Sequence, residues 1–161
     1  SQSKAEVVRC TLWPFVSKSK IMDKRYLRSI RLLSECMQLF EKSSAKRVKA
    51  LGFTESQFDI IATLGNTSGM TCKELGEKTL ITKGTLTGVL DRLESKGLIQ
   101  RERGEDRRQL FIKLTPEGEL QFAQSFPEIV NQGRAMFSDY HQDDFEALET
   151  QLLKLKNALA Q

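Results

Sequence analysis

Between residues 97 and 115 the hydrophobic period of this 161-residue chain changes from helical to extended and back. Leu86, Val89, Leu90 and Leu93 recur at three- and four-residue steps, the spacing that lays apolar side chains on one face of a helix. After Gly97 the residues alternate: Leu98-Ile99-Gln100-Arg101-Glu102-Arg103 reads as one strand and Leu110-Phe111-Ile112-Lys113-Leu114 as a second. Gly104-Glu105-Asp106-Arg107-Arg108-Gln109 lies between them as a charged hairpin tip. Thr115-Pro116-Glu117-Gly118-Glu119 then supplies an N-cap, a proline at the first helical position and an acidic first turn, so a helix resumes. The chain is therefore expected to be helical around a single hairpin.

The helices before the hairpin are marked by their ends. From Asp23 an apolar stripe of Leu27, Ile30, Leu33, Met37 and Phe40 predicts a long helix stopped by Gly52. Thr54-Glu55-Ser56-Gln57 has capping-box spacing and opens a short helix burying Phe58, Ile61 and Leu64, which breaks at residues 65–69. Thr71-Cys72-Lys73-Glu74 repeats the box and starts a third helix through Leu75. Thr82 opens a fourth, ended by Gly97. Beyond the hairpin, Pro127 is expected to kink or split the next helix. Phe145, Leu148, Leu152, Leu155 and Leu159 step by three and four, a seam suited to another helix.

Three short helices followed by a two-stranded hairpin make a winged helix-turn-helix. The expected fold class is mainly α (α+β), with N- and C-terminal helices added for dimerisation. Residues 1–22, with scattered charge and Pro14, read as an N-terminal tail ahead of a native start at Met22. Residues 23–51 and 116–161 form the helical dimerisation region, and 52–115 the winged helix-turn-helix.

Composition supports this and excludes other classes. Hydrophobic residues make up 39% and charged residues 29%, which places the chain among globular domains. No apolar run reaches the roughly 20 residues of a spanning helix, and the stretch from Cys10 to Val16 is too short for a secretory core, so a cytoplasmic protein is expected. Cys10, Cys36 and Cys72 are odd in number and widely spaced, which fits neither a disulfide framework nor a zinc site. His141 is the single histidine, and neither a nucleophile elbow nor a phosphate-binding glycine loop is present. No enzyme, metal site or cofactor is expected. Segments 1–22, 23–69 and 70–115 each carry a net +3, whereas 116–161 carries −5. A basic body with an acidic end suits a protein that meets a polyanion on one side.

Two constellations carry the expected chemistry. In the helix from Thr82, the core takes Leu86, Val89, Leu90 and Leu93, leaving Lys83, Thr85 and Thr87 to project from the first turns toward base edges and phosphates. Gly84 and Gly88 each cost about 1 kcal/mol relative to Ala in a helix interior. That cost is tolerable where a backbone must approach something bulky such as DNA. The plain alternative is a surface helix with poor formers. At the hairpin tip, Arg107 and Arg108 suit a narrow minor groove, with Asp106 expected to hold the Arg108 guanidinium in a fork-like pair. The alternative there is a solvated charged turn.

The blocks Gly52-Phe53-Thr54-Glu55-Ser56-Gln57-Phe58-Asp59-Ile60-Ile61, Thr85-Leu86-Thr87 through Leu90-Asp91-Arg92-Leu93-Glu94, Lys96-Gly97-Leu98-Ile99, Asp106-Arg107-Arg108 and Leu114-Thr115-Pro116-Glu117-Gly118 resemble, in order and spacing, the MarR family of bacterial transcriptional regulators. The resemblance runs from about residue 52 to 122. It implies a homodimer on a pseudo-palindromic operator, usually a repressor released by a small molecule or an oxidant. It also implies that the helix from Thr82 is the recognition helix and that Asp106-x-Arg108 is the wing motif. Gly88 departs from the long polar residue frequent after the Thr87 position, which leaves fewer side chains for base readout. The DNA-binding residues so implied are Thr82, Lys83, Gly84, Thr85, Thr87, Asp106, Arg107 and Arg108.

Relatives often bind phenolic or other aromatic ligands between the dimer helices and the winged domain, which puts Tyr26, Ile30 and Leu33 near an effector cleft, although the same residues suit plain core or dimer packing. Leu27, Ile30, Leu148, Leu152, Leu155 and Leu159 are the expected dimer contacts. Peroxide sensing by a cysteine, as in some relatives, points to Cys10, Cys36 or Cys72, the last at a helix start; inert thiols are the alternative. A winged-helix module that binds an acidic protein without DNA is the competing function.

Overall fold

The computed structural model describes residues 24–161; the tail, Met22 and Cys10 lie outside them. The chain divides into two compact units at the boundary between Ser43 and Ser44. Helix α1, Arg25–Ala50, supplies the described part of the first unit and enters the second with Val48 fully buried. Most of its apolar residues before the boundary, Tyr26, Leu27, Ile30, Met37 and Phe40 among them, are exposed. The last turn of α1 gives way at Gly52, whose left-handed φ of 86° makes the reversal expected of a glycine stop.

The second unit contains the expected helices. Helix α2, Glu55–Leu64, begins with a complete capping box: Gln57 N donates to Thr54 Oγ1 at 3.2 Å and Thr54 N donates to Gln57 Oε1 at 3.2 Å. Helix α3, Cys72–Thr79, repeats it with Glu74 N to Thr71 Oγ1 at 3.2 Å and Thr71 N to Glu74 Oε2 at 2.9 Å. Helix α4, Lys83–Ser95, buries Leu86, Val89, Leu90 and Leu93. Strands β2, Ile99–Arg103, and β3, Leu110–Leu114, pair antiparallel with Arg101 opposite Ile112 and Arg103 opposite Leu110.

The sheet has three strands where the sequence suggests two. Met70–Thr71 forms a short β1 that pairs antiparallel with β3, Met70 opposite Ile112, giving the order β1-β3-β2. Two residues carry no readable period, so the segment looks like loop in the sequence. Gly69 permits the approach: its φ is 105°, and a Cβ there would stand 2.6 Å from the Ile112 carbonyl oxygen. Ile60, Ile61, Leu64, Leu75, Leu90, Leu93, Ile99 and Ile112 fill one continuous core between these helices and the sheet.

Helix α5, Pro116–Arg134, starts as expected, with Gly118 N donating to Thr115 Oγ1 at 3.1 Å. The same hydroxyl donates to Gly97 O at 2.5 Å, and Thr115 N to Leu98 O at 3.0 Å, which ties α5 to the start of the hairpin. The expected split at Pro127 does not occur, because α5 runs through it to Arg134. A proline removes one backbone donor, and the remaining ladder carries the helix across. The break comes later, at a 3₁₀ turn Ala135–Phe137, before helix α6, Gln142–Leu159. His141 sits at the α6 N-cap, exposed, its amide donating to Asp144 Oδ2 at 2.8 Å.

Candidate nucleic-acid interface

The helix-turn-helix is α3, the turn Leu80-Ile81-Thr82, and α4. Two features fix the turn. Thr79 Oγ1 donates to Leu75 O at 2.7 Å and accepts from Ile81 N at 3.4 Å, closing the end of α3 internally. Leu80 then adopts the left-handed conformation, φ 57° and ψ 13°, with 88% of its surface exposed. A side chain there costs about 1–2 kcal/mol. Behind the turn, a Cβ added at Gly76 of α3 would stand 3.6 Å from Leu86 Cδ2 of α4, an ordinary van der Waals distance.

The start of α4 differs from the other capped helices. Helices α2, α3 and α5 each have a threonine hydroxyl on a first-turn amide, and α2, α3, α5 and α6 carry acidic residues in that turn. Helix α4 has neither: Thr82 occupies the N-cap, but its hydroxyl pairs with Thr85 Oγ1 at 3.2 Å, and no first-turn residue is acidic. The positive end of the helix dipole is left unneutralised, a setting that favours an external anion. Lys83, Gly84, Thr85, Thr87 and Gly88 are exposed. A Cβ at Gly84 or Gly88 would meet nothing within 4 Å, so no packing within the protomer calls for either glycine.

The wing presents the second set. Gly104 N to Gln109 O at 3.1 Å and Gln109 N to Asp106 O at 2.8 Å close its tip. Glu105, Asp106, Arg107 and Arg108 are all exposed. Asp106 does not grip the Arg108 guanidinium as expected; its Oδ1 accepts from the Arg108 backbone amide at 3.1 Å. The tight turn brings that amide within reach of the short Asp side chain, which shapes the tip and leaves the guanidinium unengaged. Elsewhere on the wing Lys113 Nζ pairs with Glu102 at 2.8 Å. Among the described residues, Lys83 and Arg92 on α4 and Arg103, Arg107 and Arg108 on the wing make no ion pair; Lys83 at the start of α4 and the three wing arginines stand ready for an outside anion.

Sequence reasoning missed Arg103 and the bridge from Arg101 to α4, in which Arg101 Nη2 lies 2.6 Å from Asp91 Oδ1 and Nε lies 3.4 Å from Glu94 Oε2. The period-two alternation puts Ile99, Arg101 and Arg103 on one face of β2, a signal that was available. The remaining expected residues lie elsewhere. Leu27, Ile30, Leu148, Leu152 and Leu159 are exposed and Leu155 is half-buried. Tyr26 and Ile30 are exposed and Leu33 half-buried on α1. Cys36 is exposed, while Cys72 packs partly buried against the core. Among the described residues no cluster of His, Cys, Asp and Glu has metal-binding geometry, and no helix is long and apolar enough to cross a membrane.

A helix-turn-helix followed by a charged antiparallel wing defines a winged-helix protein, and its outward side chains include hydroxyl donors and unpaired cations beside the acidic Glu105 and Asp106. The model of the MarR family matches residues 53–110. The transcriptional regulator HosA of Escherichia coli is 34% identical over 92 residues, 56% of this chain and 68% of HosA. A mutant MarR from Escherichia coli in complex with operator DNA superposes with a TM-score of 0.71 at 26% identity, covering 82% of this chain and 96% of that one. NadR in complex with 4-hydroxyphenylacetate gives 0.66 at 26% identity, covering 76% and 88%. This chain belongs to the MarR family of transcriptional regulators.

Proposed function

We propose that the protein binds double-stranded operator DNA as a homodimer, with α4 as the recognition helix in the major groove and the wing tip reaching the adjacent minor groove. The observation that carries this reading is the start of α4: it has neither side-chain cap nor first-turn acid, and it exposes Lys83, Thr85 and Thr87. Phosphate oxygens complement the Lys83 and Gly84 amides at the start of α4 and the Lys83 ammonium, while threonine hydroxyls meet base edges. Arg107 and Arg108 match the negative potential of a narrow minor groove. The operator complex of the related MarR supports this mode of action. In a symmetric dimer each protomer reads one half of a pseudo-palindrome, spaced by about one helical turn of DNA.

The regulatory part of the proposal is a repressor released by a small signal. NadR holds a phenolic carboxylate, which supports a small aromatic effector here, with Tyr26, Ile30 and Leu33 the residues to examine first. Release by an oxidant acting on Cys36 or Cys72 is the variant of the same scheme. The DNA reading is tested by titrating the duplex upstream of the protein's own coding region. Arg108→Ala should weaken binding about tenfold across sequences with the circular-dichroism spectrum unchanged. Equal affinity of the variant would discard the wing contact. Absence of binding to any duplex, with retention of an acidic protein partner, would favour a protein-interaction module.

A further inference from the structure

The charges of α4 and the wing are connected inside the protomer, and the connection has a direction. Ile99, Arg101 and Arg103 occupy one face of β2. Ile99 is buried in the core, Arg103 is exposed, and Arg101 lies between them with its side chain only 21% exposed. That side chain donates a hydrogen bond from Nη2 to Asp91 Oδ1 at 2.6 Å, while its Nε lies 3.4 Å from Glu94 Oε2 without hydrogen-bond geometry; the two carboxylates stand three residues apart on α4. One residue further out than Arg101, Phe111 opposite Glu102 pairs with Thr71 of β1; past that pair, among the described residues, the hydrogen bonds of residues 103–110 are all made within the hairpin. The β3 side of the wing is held by β1 and by buried Ile112, and the β2 side is tied to α4 by the Arg101 guanidinium.

We propose that Arg101 is a positioning residue that sets the angle of the wing against the recognition helix. Its two carboxylate partners act as the far side of the brace. The functional consequence rests on the DNA-binding reading above, because a wing held at a fixed angle needs no reordering when its arginines enter a minor groove. The bracing itself is a property of the free protein. A purely electrostatic role makes the opposite forecast for one substitution. Asp91 is a negative charge on the helix that approaches phosphate, so removing it should strengthen DNA binding if charge is all that matters.

The test uses Asp91→Ala, Arg101→Gln, the pair Arg107→Ala with Arg108→Ala, and their combinations in the full chain. A duplex selected by the wild-type protein from a random pool serves as the probe. Asp91→Ala is expected to lower affinity about three- to fivefold, as Arg101→Gln does, although it removes a negative charge. With both wing-tip arginines already replaced, Asp91→Ala should cost nothing more, since the brace acts through them. Tighter binding by Asp91→Ala, or a loss that persists undiminished without the tip arginines, would overturn the proposal. Backbone relaxation of the DNA-free protein gives the second readout. Amide order of residues 104–109 should fall below about 0.6 in both single variants while α4 stays rigid. Unchanged wing order would also overturn the proposal. If the wild type selects no duplex, the DNA-binding reading fails and the relaxation result alone decides the brace.

Discussion

Gly84 and Gly88 stand one helical turn apart on α4, away from the side chains it buries. Each lowers helix propensity by about 1 kcal/mol relative to Ala. Nothing in the protomer would obstruct a methyl group at either position, so the proposed DNA contact is what would call for them. Gly84→Ala and Gly88→Ala are therefore expected to stabilise the fold, each by up to about 1 kcal/mol, and to weaken DNA binding. Thermal unfolding beside a DNA titration checks both halves, and stabilisation with unchanged affinity would show that no backbone approach depends on them. Asp59 illustrates a different residue-scale effect. Partial burial raises its carboxyl above the ordinary value of 3.8. The folded state then holds this proton more tightly than the unfolded chain. Its contribution is largest at low pH and declines as pH rises from the ordinary value through the raised one. Asp59→Asn should flatten stability against pH across that acid window, measured by denaturant unfolding at stepped pH; an unaltered profile would contradict the assignment.

Helix ends decide much of the architecture and can be tested as a pair. Thr71 closes a full capping box on α3, so Thr71→Ala should cost about 1 kcal/mol. Thr82 makes no cap bond to α4, so Thr82→Ala should cost only a few tenths, and equal losses in chemical denaturation would contradict the unneutralised α4 terminus. These ends were legible because caps and glycine stops act over three or four residues, and the hairpin was legible because alternation is local. Strand β1 was not, since Met70 and Thr71 gain their identity from a partner some forty residues later. Asp106 has two donors in reach in sequence, a guanidinium and an amide; only the folded turn selects the amide. The brace from Arg101 to Asp91 spans ten residues and exists because β2 runs beside α4, a tertiary fact that no local pattern states. At Pro127 the kink-or-split alternative was open in the sequence, and the split does not occur: the rest of α5 continues the helix across it.

At the scale of the molecule, each unit carries an exposed apolar face: Leu27 and Ile30 on α1, and Leu148, Leu152 and Leu159 on α6. Apolar surface of this kind is what a homodimer covers. Sedimentation should give twice the protomer mass, and Leu148→Glu with Leu152→Glu should yield a folded monomer that has lost DNA binding; a wild-type monomer that binds duplex DNA would refute the dimer. The charge asymmetry complements this arrangement, with the basic segments in α1 to β3 and the net negative charge in residues 116–161. The central claim is that α4 and the wing neutralise DNA phosphates, and the dependence of affinity on salt measures it most directly. With Lys83, Arg103, Arg107 and Arg108 from each protomer facing a duplex, log K against log salt concentration should fall with a slope of about −4 to −7. Replacing Arg107 by Gln should make that slope shallower by up to about two per dimer if both copies reach phosphate. A slope near zero, or one that ignores every substitution among these four cations, would contradict the account.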